Sequence, residues 1–133
     1  MKSDIEIKDD VYNVIKGSAL EMAITGKLSK TGRPFGSNLE DVVVSILDNG
    51  TGQIQEAFVN VNIYVPNLKN DQTNGMEIDD IRCRELCKLA SELLEVQRGD
   101  DYRFTLDKQR VMEVNGKNEH FINNRLLFRQ VNE

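Results

Sequence analysis

The chain has 133 residues, a length typical of one folded unit, so we expect a single domain over residues 1–133. Residues 1–8 are expected to form a flexible N-terminal tail. Hydrophobic residues make up 39% and charged residues 29%, a globular composition that excludes a disordered or collagen-like chain. The 17 Lys and Arg residues against 22 Asp and Glu residues give a net charge of −5, which disfavours nucleic-acid binding because phosphate neutralisation needs surplus cations.

The N-terminal segment predicts neither export nor membrane insertion. Its first ten residues carry charges every few positions and contain no apolar run of signal-peptide length. The sequence has no apolar stretch long enough to cross a bilayer. We therefore expect a cytoplasmic protein without a membrane partner.

The first part of the chain predicts two short helices joined at a glycine. Val11, Val14 and Ile15 recur at helical spacing before Gly17. The segment that follows begins with Ser18 and has a glutamate three residues later, the pattern of a capping box at a helix N-terminus.

A loop and a buried strand are predicted next. Residues 27–38 begin with a possible short strand and become a projecting loop rich in Gly, Ser and Pro. Residues 40–47 are β-branched and almost continuously apolar, which favours a strand covered on both faces or central to its sheet. Residues 48–52 have the Asn-Gly composition of a hairpin turn.

The clearest alternation in the sequence lies between residues 54 and 65 and predicts a strand with two different faces. Pro66 ends it, because proline has no N–H for a ladder hydrogen bond. The predicted core face carries Val59, Val61, Ile63 and Val65, and the opposite face carries Phe58, Asn60, Asn62 and Tyr64.

The last part of the chain predicts one long helix and a second hairpin. Apolar residues at helical spacing from Ile78 onwards indicate an amphipathic helix that ends near Gly99. Two strands then flank an Asn-Gly turn at residues 115–116, and in the second strand Asn124 interrupts an otherwise apolar core face.

This order of elements predicts an α+β fold. We expect a mostly antiparallel β-sheet of two hairpins plus an extra strand, packed against one long helix and short N-terminal helices.

No constellation of residues predicts catalysis or a cofactor. His120 is the single histidine and has no nearby Ser or Cys nucleophile with which to build a triad. Cys83 and Cys87 lie four residues apart in the predicted long helix, where both are expected to face one side as small hydrophobes, and the further ligands of a tetrahedral metal site are missing. We expect a protein that is not an enzyme and has no cofactor and no metal.

Two groups of residues are candidates for a protein interface. Lys27, Lys30 and Arg33 form a small basic patch beside Phe35, which is either a solvated loop or a contact point for an acidic partner. The second group is the outward face of the alternating strand, represented by Asn60, Asn62 and Tyr64. Such amides and aromatic rings form either a merely hydrated face or a hydrogen-bonding surface for another protein.

The layout resembles the tail terminator or tail completion (head-tail joining) proteins of long-tailed bacteriophages and prophages. The resemblance spans residues 11–131 and is carried by the element order and by the phrases around Arg33-Pro34, the strand segment EDVVV and the segment VNVNIYVP. It includes no catalytic signature.

The resemblance implies an α+β subunit that self-associates into a ring, typically a hexamer. Such a ring caps the tail tube, joins it to the head-completion proteins, and is assembled in the bacterial cytoplasm before it becomes part of the virion tail. The loop over residues 27–38 and the outward face of the alternating strand would supply contacts, and the polar segment 67–75 could reach a neighbour.

Two other classes of protein fit the same sequence. One is a small acidic interaction or inhibitor module of the immunity type, which would be monomeric or dimeric and would cover a basic target. The other is a small enzyme or ligand-binding domain with a pocket between sheet and helix, for which Tyr102, Arg103 and His120 are the residues to inspect.

Overall fold

A computed structural model describes residues 1–52 and 54–131 of the chain. In this part of the chain the backbone forms three α-helices, a short 3-10 turn at Asp71–Thr73 and six strands. The helices are α1 (Asp4–Ile15), α2 (Ala19–Ala23) and α3 (Asp80–Leu94), and the strands are β1 (Leu28–Lys30), β2 (Val42–Thr51), β3 (Gln55–Pro66), β4 (Val96–Arg98), β5 (Tyr102–Glu113) and β6 (Glu119–Gln130).

The six strands form one sheet in the order β1-β2-β3-β6-β5-β4. The two predicted hairpins, β2–β3 and β5–β6, meet through antiparallel pairing of β3 with β6. The short strand β1 pairs with β2 in parallel, so the sheet is mixed. The α+β class is confirmed, and the sheet has two added strands instead of one.

The core lies between the helices and one face of the sheet, here called the inner face. The alternation predicted for β3 is confirmed, because its residues 57, 59, 61, 63 and 65 are buried while the intervening side chains are partly or fully exposed. Helices α1 and α3 each contribute one buried stripe at helical spacing. The stripes consist of Ile7, Val11 and Ile15 in α1, and of Cys83, Leu86, Ala90 and Leu94 in α3.

The predicted N-terminal tail at residues 1–8 is instead structured, because residues 4–8 begin α1 and Ser3 caps it. Ser3 and Glu6 form a complete capping box at its N-terminus, which satisfies two backbone N–H groups that would otherwise lack partners. Ile7 is fully buried, and the backbone N–H of Lys2 donates to Gln55 Oε1 at 2.7 Å. Apolar burial and capping therefore hold this segment in the fold.

The cap of α2 is simpler than the predicted capping box. The Ser18 hydroxyl accepts a hydrogen bond from the Glu21 N–H, as predicted. The Glu21 carboxylate, however, accepts from the N–H of Gly17 at 2.7 Å. The N–H of Ser18 donates instead to the Ile15 carbonyl.

Two predicted boundaries were wrong because long-range contacts extend the sheet. The turn was predicted at residues 48–52, but strand β2 continues to Thr51. Asn49 in this segment donates to Asp4 Oδ1 and accepts from Gln55 Nε2. The long helix ends at Leu94 and not near Gly99, because residues 96–98 pair with β5 as strand β4.

The strands β2 and β5 are paired over only part of their length on the side that faces the sheet edge. Strand β1 covers residues 42–44 of β2, and β4 covers residues 103–105 of β5. Each of these two long strands also has a register shift, between Ile46 and Asp48 in β2 and between Leu106 and Lys108 in β5. Such bulges bend an edge and reverse the side-chain alternation beyond it.

Candidate interaction surface

The sheet face that points away from the helices, here called the outer face, is the main candidate surface. Within the described residues, the helices pack their buried side chains on the inner face. The outer face is formed mainly by β3, β6 and β5, strands of 12 residues each. Its central side chains on β3 and β6 are partly exposed, and they are Phe58, Asn60, Asn62, Tyr64, Phe121, Asn123, Arg125 and Leu127.

Three asparagine amides lie together at the centre of the outer face. Asn62 stands directly opposite Asn123 in the antiparallel pairing of β3 with β6. The Nδ2 atom of Asn123 donates to Asn62 Oδ1 at 2.7 Å and to Asn60 Oδ1 at 3.1 Å. Because Asn123 uses both of its amide hydrogens on these oxygens, the cluster is ordered and leaves the remaining amide groups for a partner.

Aromatic rings lie on both sides of these amides. Tyr64 stacks on Phe121 with ring centroids 5.8 Å apart. Nearer the other end of the strands, the Arg125 guanidinium carbon lies 4.9 Å from the centroid of Phe58. The outer face thus combines flat apolar groups with hydrogen-bonding groups, the composition of protein interfaces.

Arg33 fastens the loop over residues 31–41 to one end of the outer face. Its Nε donates to Asp41 Oδ2 at 2.7 Å, its Nη1 to Glu119 Oε1 at 2.6 Å and its Nη2 to the Leu39 carbonyl at 2.8 Å. The guanidinium also lies over the Tyr64 ring. Arg33 is therefore a partly buried structural clamp and is not a free cation of a basic patch.

The electrostatics of this clamp favour the ionised forms of both partners. Burial by itself would raise the pKa of the Asp41 carboxyl, but hydrogen bonds from Arg33, from the Ser37 hydroxyl and from the Lys27 N–H hold that pKa below its usual range. Burial would likewise lower the pKa of Arg33, and the Glu119 and Asp41 carboxylates outweigh it and raise that pKa.

The other residues of the predicted basic patch lie apart from Arg33. The ammonium group of Lys30 pairs with Asp9 of α1 at 2.7 Å and lies over the Tyr12 ring. The side chain of Lys27 is exposed. The patch predicted from Lys27, Lys30 and Arg33 is therefore not a single cationic surface, because Arg33 binds Asp41 and Glu119 whereas Lys30 binds Asp9.

Phe35 is the most prominent apolar group of the clamped loop. Its side chain is fully exposed, although it lies two residues from the fixed guanidinium of Arg33. Gly36 follows with φ +70°, a conformation that glycine adopts without strain. A rigid loop with an exposed aromatic tip can insert that tip into a partner at little cost in conformational entropy.

A concentration of cations on β5 and β6 was missed by the sequence interpretation. It is defined here as the basic surface, and its members share the outer face through the pairing register of the two strands. They are Arg103, Lys108, Arg110, Arg125 and Arg129. The bulge before Lys108 reverses the alternation, so a regular strand pattern would have turned Lys108 and Arg110 inward.

The residues considered for an enzyme site do not come together. His120 lies near the start of β6 and Tyr102 pairs with Gln130 at its end, which at about 3.4 Å per residue places them roughly 30 Å apart. The Nδ1 atom of His120 lies 2.6 Å from Asn67 Oδ1. A cleft of about 520 Å³ near this histidine is lined by residues such as Pro66, Lys69 and Asn118.

The two cysteines are free thiols on the inner side of α3, as the helical spacing predicted for a shared face. Burial raises the pKa of Cys83 to about 11 and also raises that of Cys87. Thiolates are therefore scarce at neutral pH. Among the described residues, no group of three or more His, Cys, Asp or Glu side chains has the geometry to hold a metal ion.

The described helices include none that is long and apolar enough to span a membrane. Neither the known family models nor the curated proteins include one that matches this sequence.

Proposed function

We propose that this chain is an assembly subunit that closes into a ring, hexameric in its complete form, and terminates or completes the tail tube of a phage or prophage. The ring would join the tube to the head-completion proteins and act through protein contacts without catalysis. The observation that carries this proposal is the outer face of the sheet, which none of the described helices covers, where amides and aromatic rings are pre-arranged on the long strands β3 and β6 and the long strand β5 extends the same face.

Such a ring would work by geometry. A head-to-tail contact repeated around a closed rotation forms a ring, and a ring on the growing end of a tube covers the site at which the next tube subunit would add. The partly paired flanks of β2 and β5 supply two different edges on opposite sides of the sheet. A head-to-tail contact requires two different surfaces of this kind.

The area of the outer face is large enough to supply a substantial part of the surface that such an interface buries. Three strands of 12 residues span about 40 Å by 14 Å, or roughly 550 Å² in projection. A stable subunit interface buries about 2,000 Å² in total, or about 1,000 Å² on each copy. The outer face would supply about half of that area, and the clamped loop with Phe35 and the strand edges would supply the rest.

The first experiment is to measure the molar mass of the purified protein by light scattering over a range of protein and salt concentrations, with negative-stain microscopy of the same samples. We expect rings that dissociate on dilution. Asn62→Glu on the outer face should reduce the ring fraction, whereas Gln72→Glu, which adds the same charge in an exposed segment, should not. A monomer that also fails to bind purified tail tubes would overturn the proposal.

The second candidate function is an inhibitor-type module that covers a basic target. The net charge of −5 and the exposed Phe35 on its clamped loop favour it. This candidate predicts a strict monomer or dimer in which Phe35→Ala weakens target binding without altering the molar mass. A ring in the light-scattering experiment would exclude it.

A further inference from the structure

We infer that the basic surface on β5 and β6 docks against the acidic remainder of a second copy of this chain. The inference rests on the proposed function and specifies the electrostatics of its head-to-tail contact. It is carried by the arrangement of charges across the two strands.

The first observation is that like charges stand directly opposite each other. Arg103 is the register partner of Arg129, and Lys108 is the register partner of Arg125. Directly opposed like charges destabilise an antiparallel pair. Two such pairs on one hairpin therefore reduce the stability of the isolated chain, and an anionic partner over the outer face would relieve the repulsion.

The second observation is how little of this charge is neutralised within the chain. Arg125 pairs with Asp107 and Arg129 pairs with Glu56. The remaining three cations, Arg103, Lys108 and Arg110, are exposed and have no ion pair within the described residues. Three cations therefore remain available to carboxylates of another molecule.

The third observation identifies the partner. The basic surface holds five cations, and two carboxylates, Asp107 and Glu56, pair with it, which gives a net charge of +3; the chain as a whole carries −5, so everything else carries −8. Helix α1, on the opposite side of the sheet, has four carboxylates and one lysine. The rest of a second copy is therefore complementary in charge to the basic surface, and the contact joins two different surfaces as a ring requires.

A nucleic acid fits the outer face less well. Bases stack on exposed aromatic rings in sheet-based nucleic-acid binders, and here the guanidinium groups of Arg33 and Arg125 already lie over Tyr64 and Phe58. The net charge of −5 also repels a polyanion.

The test compares two triple variants with the same change in charge by sedimentation velocity. One carries R103E, K108E and R110E on the basic surface, and the control carries K69E, R84E and K88E at exposed positions elsewhere. We expect the basic-surface variant to weaken self-association by about tenfold to a hundredfold, and the control to resemble the wild type. Self-association of the wild type should weaken as salt rises, because salt screens exposed charges.

Thermal unfolding of the same variants separates docking from folding. R103E and K108E replace the two like-charge register pairs with opposite charges, so the basic-surface variant should be at least as stable as the wild type while it associates less. A variant that loses association together with its fold would not show this pattern and would be set aside in favour of the single substitution R110E, whose register partner is the uncharged Asn123.

Chemical cross-linking tests whether the basic surface contacts a second copy of the chain. A carbodiimide activates a carboxylate, and attack by the Lys108 amine forms an amide while the activated oxygen leaves with the urea by-product. In a mixture of ¹⁴N and ¹⁵N protein, Lys108 cross-links that join the two isotopes support the inference, and cross-links confined to one isotope overturn it.

The failures of the two proposals are distinguishable. Rings formed equally by the wild type and the basic-surface variant would overturn this inference and leave the ring function standing. A wild type that is monomeric at all concentrations and does not bind tail tubes would overturn both. Salt-dependent binding of a single-stranded oligonucleotide by the wild type, abolished in the basic-surface variant, would also overturn the inference.

Discussion

The guanidinium carbon of Arg33 lies 4.2 Å from the centroid of the Tyr64 ring. The same guanidinium bridges Asp41, just before β2, and Glu119, the first residue of β6. One side chain therefore connects the loop that carries Phe35 to the outer face of the sheet. The candidate surface is built on this contact, because it fixes the loop relative to the strands.

Replacement of Arg33 by alanine should destabilise the fold by about 3 kcal/mol, because it leaves the buried carboxylates of Asp41 and Glu119 without their main cation. Urea unfolding followed by circular dichroism measures the change. The control is Arg84→Ala, at an exposed helical position, which should change the free energy of unfolding by about 0.5 kcal/mol or less. Equal losses in the two variants would contradict the clamp.

The stability of the fold should fall in acid in a way that depends on Asp41. The pKa of Asp41 is lowered from its ordinary value of 3.8 in the folded chain. Its ionised form therefore stabilises the fold at any pH above the unfolded value, and this contribution is lost as the pH falls through the lower folded-state pKa. Unfolding free energies measured between pH 6 and pH 2 should decline less steeply for Asp41→Asn than for the wild type. Asp48→Asn, at an exposed carboxylate, should follow the wild-type curve.

The strands that bury only one of their two faces, β3 and β6, were predictable from the sequence. In β3 the apolar residues recur with the period of two that a half-buried strand requires, and its inner and outer faces were assigned correctly. In β6 the same pattern placed Asn124 on the core face, where it is fully buried. Local alternation suffices there because a shift of one residue would turn every apolar side chain to the other face.

The candidate surface was less predictable because it depends on pairing between distant segments. The alternation of Tyr102, Phe104 and Leu106 stops in the sequence at Lys108, and the bulge after Leu106, which turns Lys108 to the outer face, is defined only by the pairing with β6. The parallel pairing of β1 with β2 leaves no local signal either. The clamp formed by Arg33 could not be predicted either, because its partner Glu119 lies 86 residues away in the sequence.

Removal of the buried methyl groups of Ile7 should show that the N-terminal segment belongs to the core. Ile7 is fully buried, whereas Ile5 is 66% exposed. Ile7→Ala should lower the free energy of unfolding by about 2–5 kcal/mol, the range for large-to-small substitutions in a core. Ile5→Ala should cost about 0.5 kcal/mol or less. If chemical denaturation gave the same midpoint for both variants, α1 would not be packed as described.

The buried amide of Asn124 should stabilise the fold in part through its coupling to Gln109. Asn124 Nδ2 donates to the Val61 carbonyl at 3.1 Å, and its Oδ1 accepts from Gln109 Nε2 at 2.8 Å. Asn124→Ala removes one hydrogen bond each from the Val61 carbonyl and from Gln109, whose Nε2 keeps only its bond to the Cys87 carbonyl, and should cost about 1–3 kcal/mol because lost hydrogen bonds of buried polar groups are not replaced by water.

The matched variant is the double substitution Asn124→Leu with Gln109→Leu, which removes both side-chain amides and fills the space with apolar groups. Its loss of stability should be smaller than the sum of the two single leucine substitutions, because each single variant leaves the other amide with fewer partners. A double-mutant cycle by urea denaturation measures this coupling. Strict additivity would show that the two amides act independently. The contribution of Asn124 to stability would then come from its bond to Val61 alone.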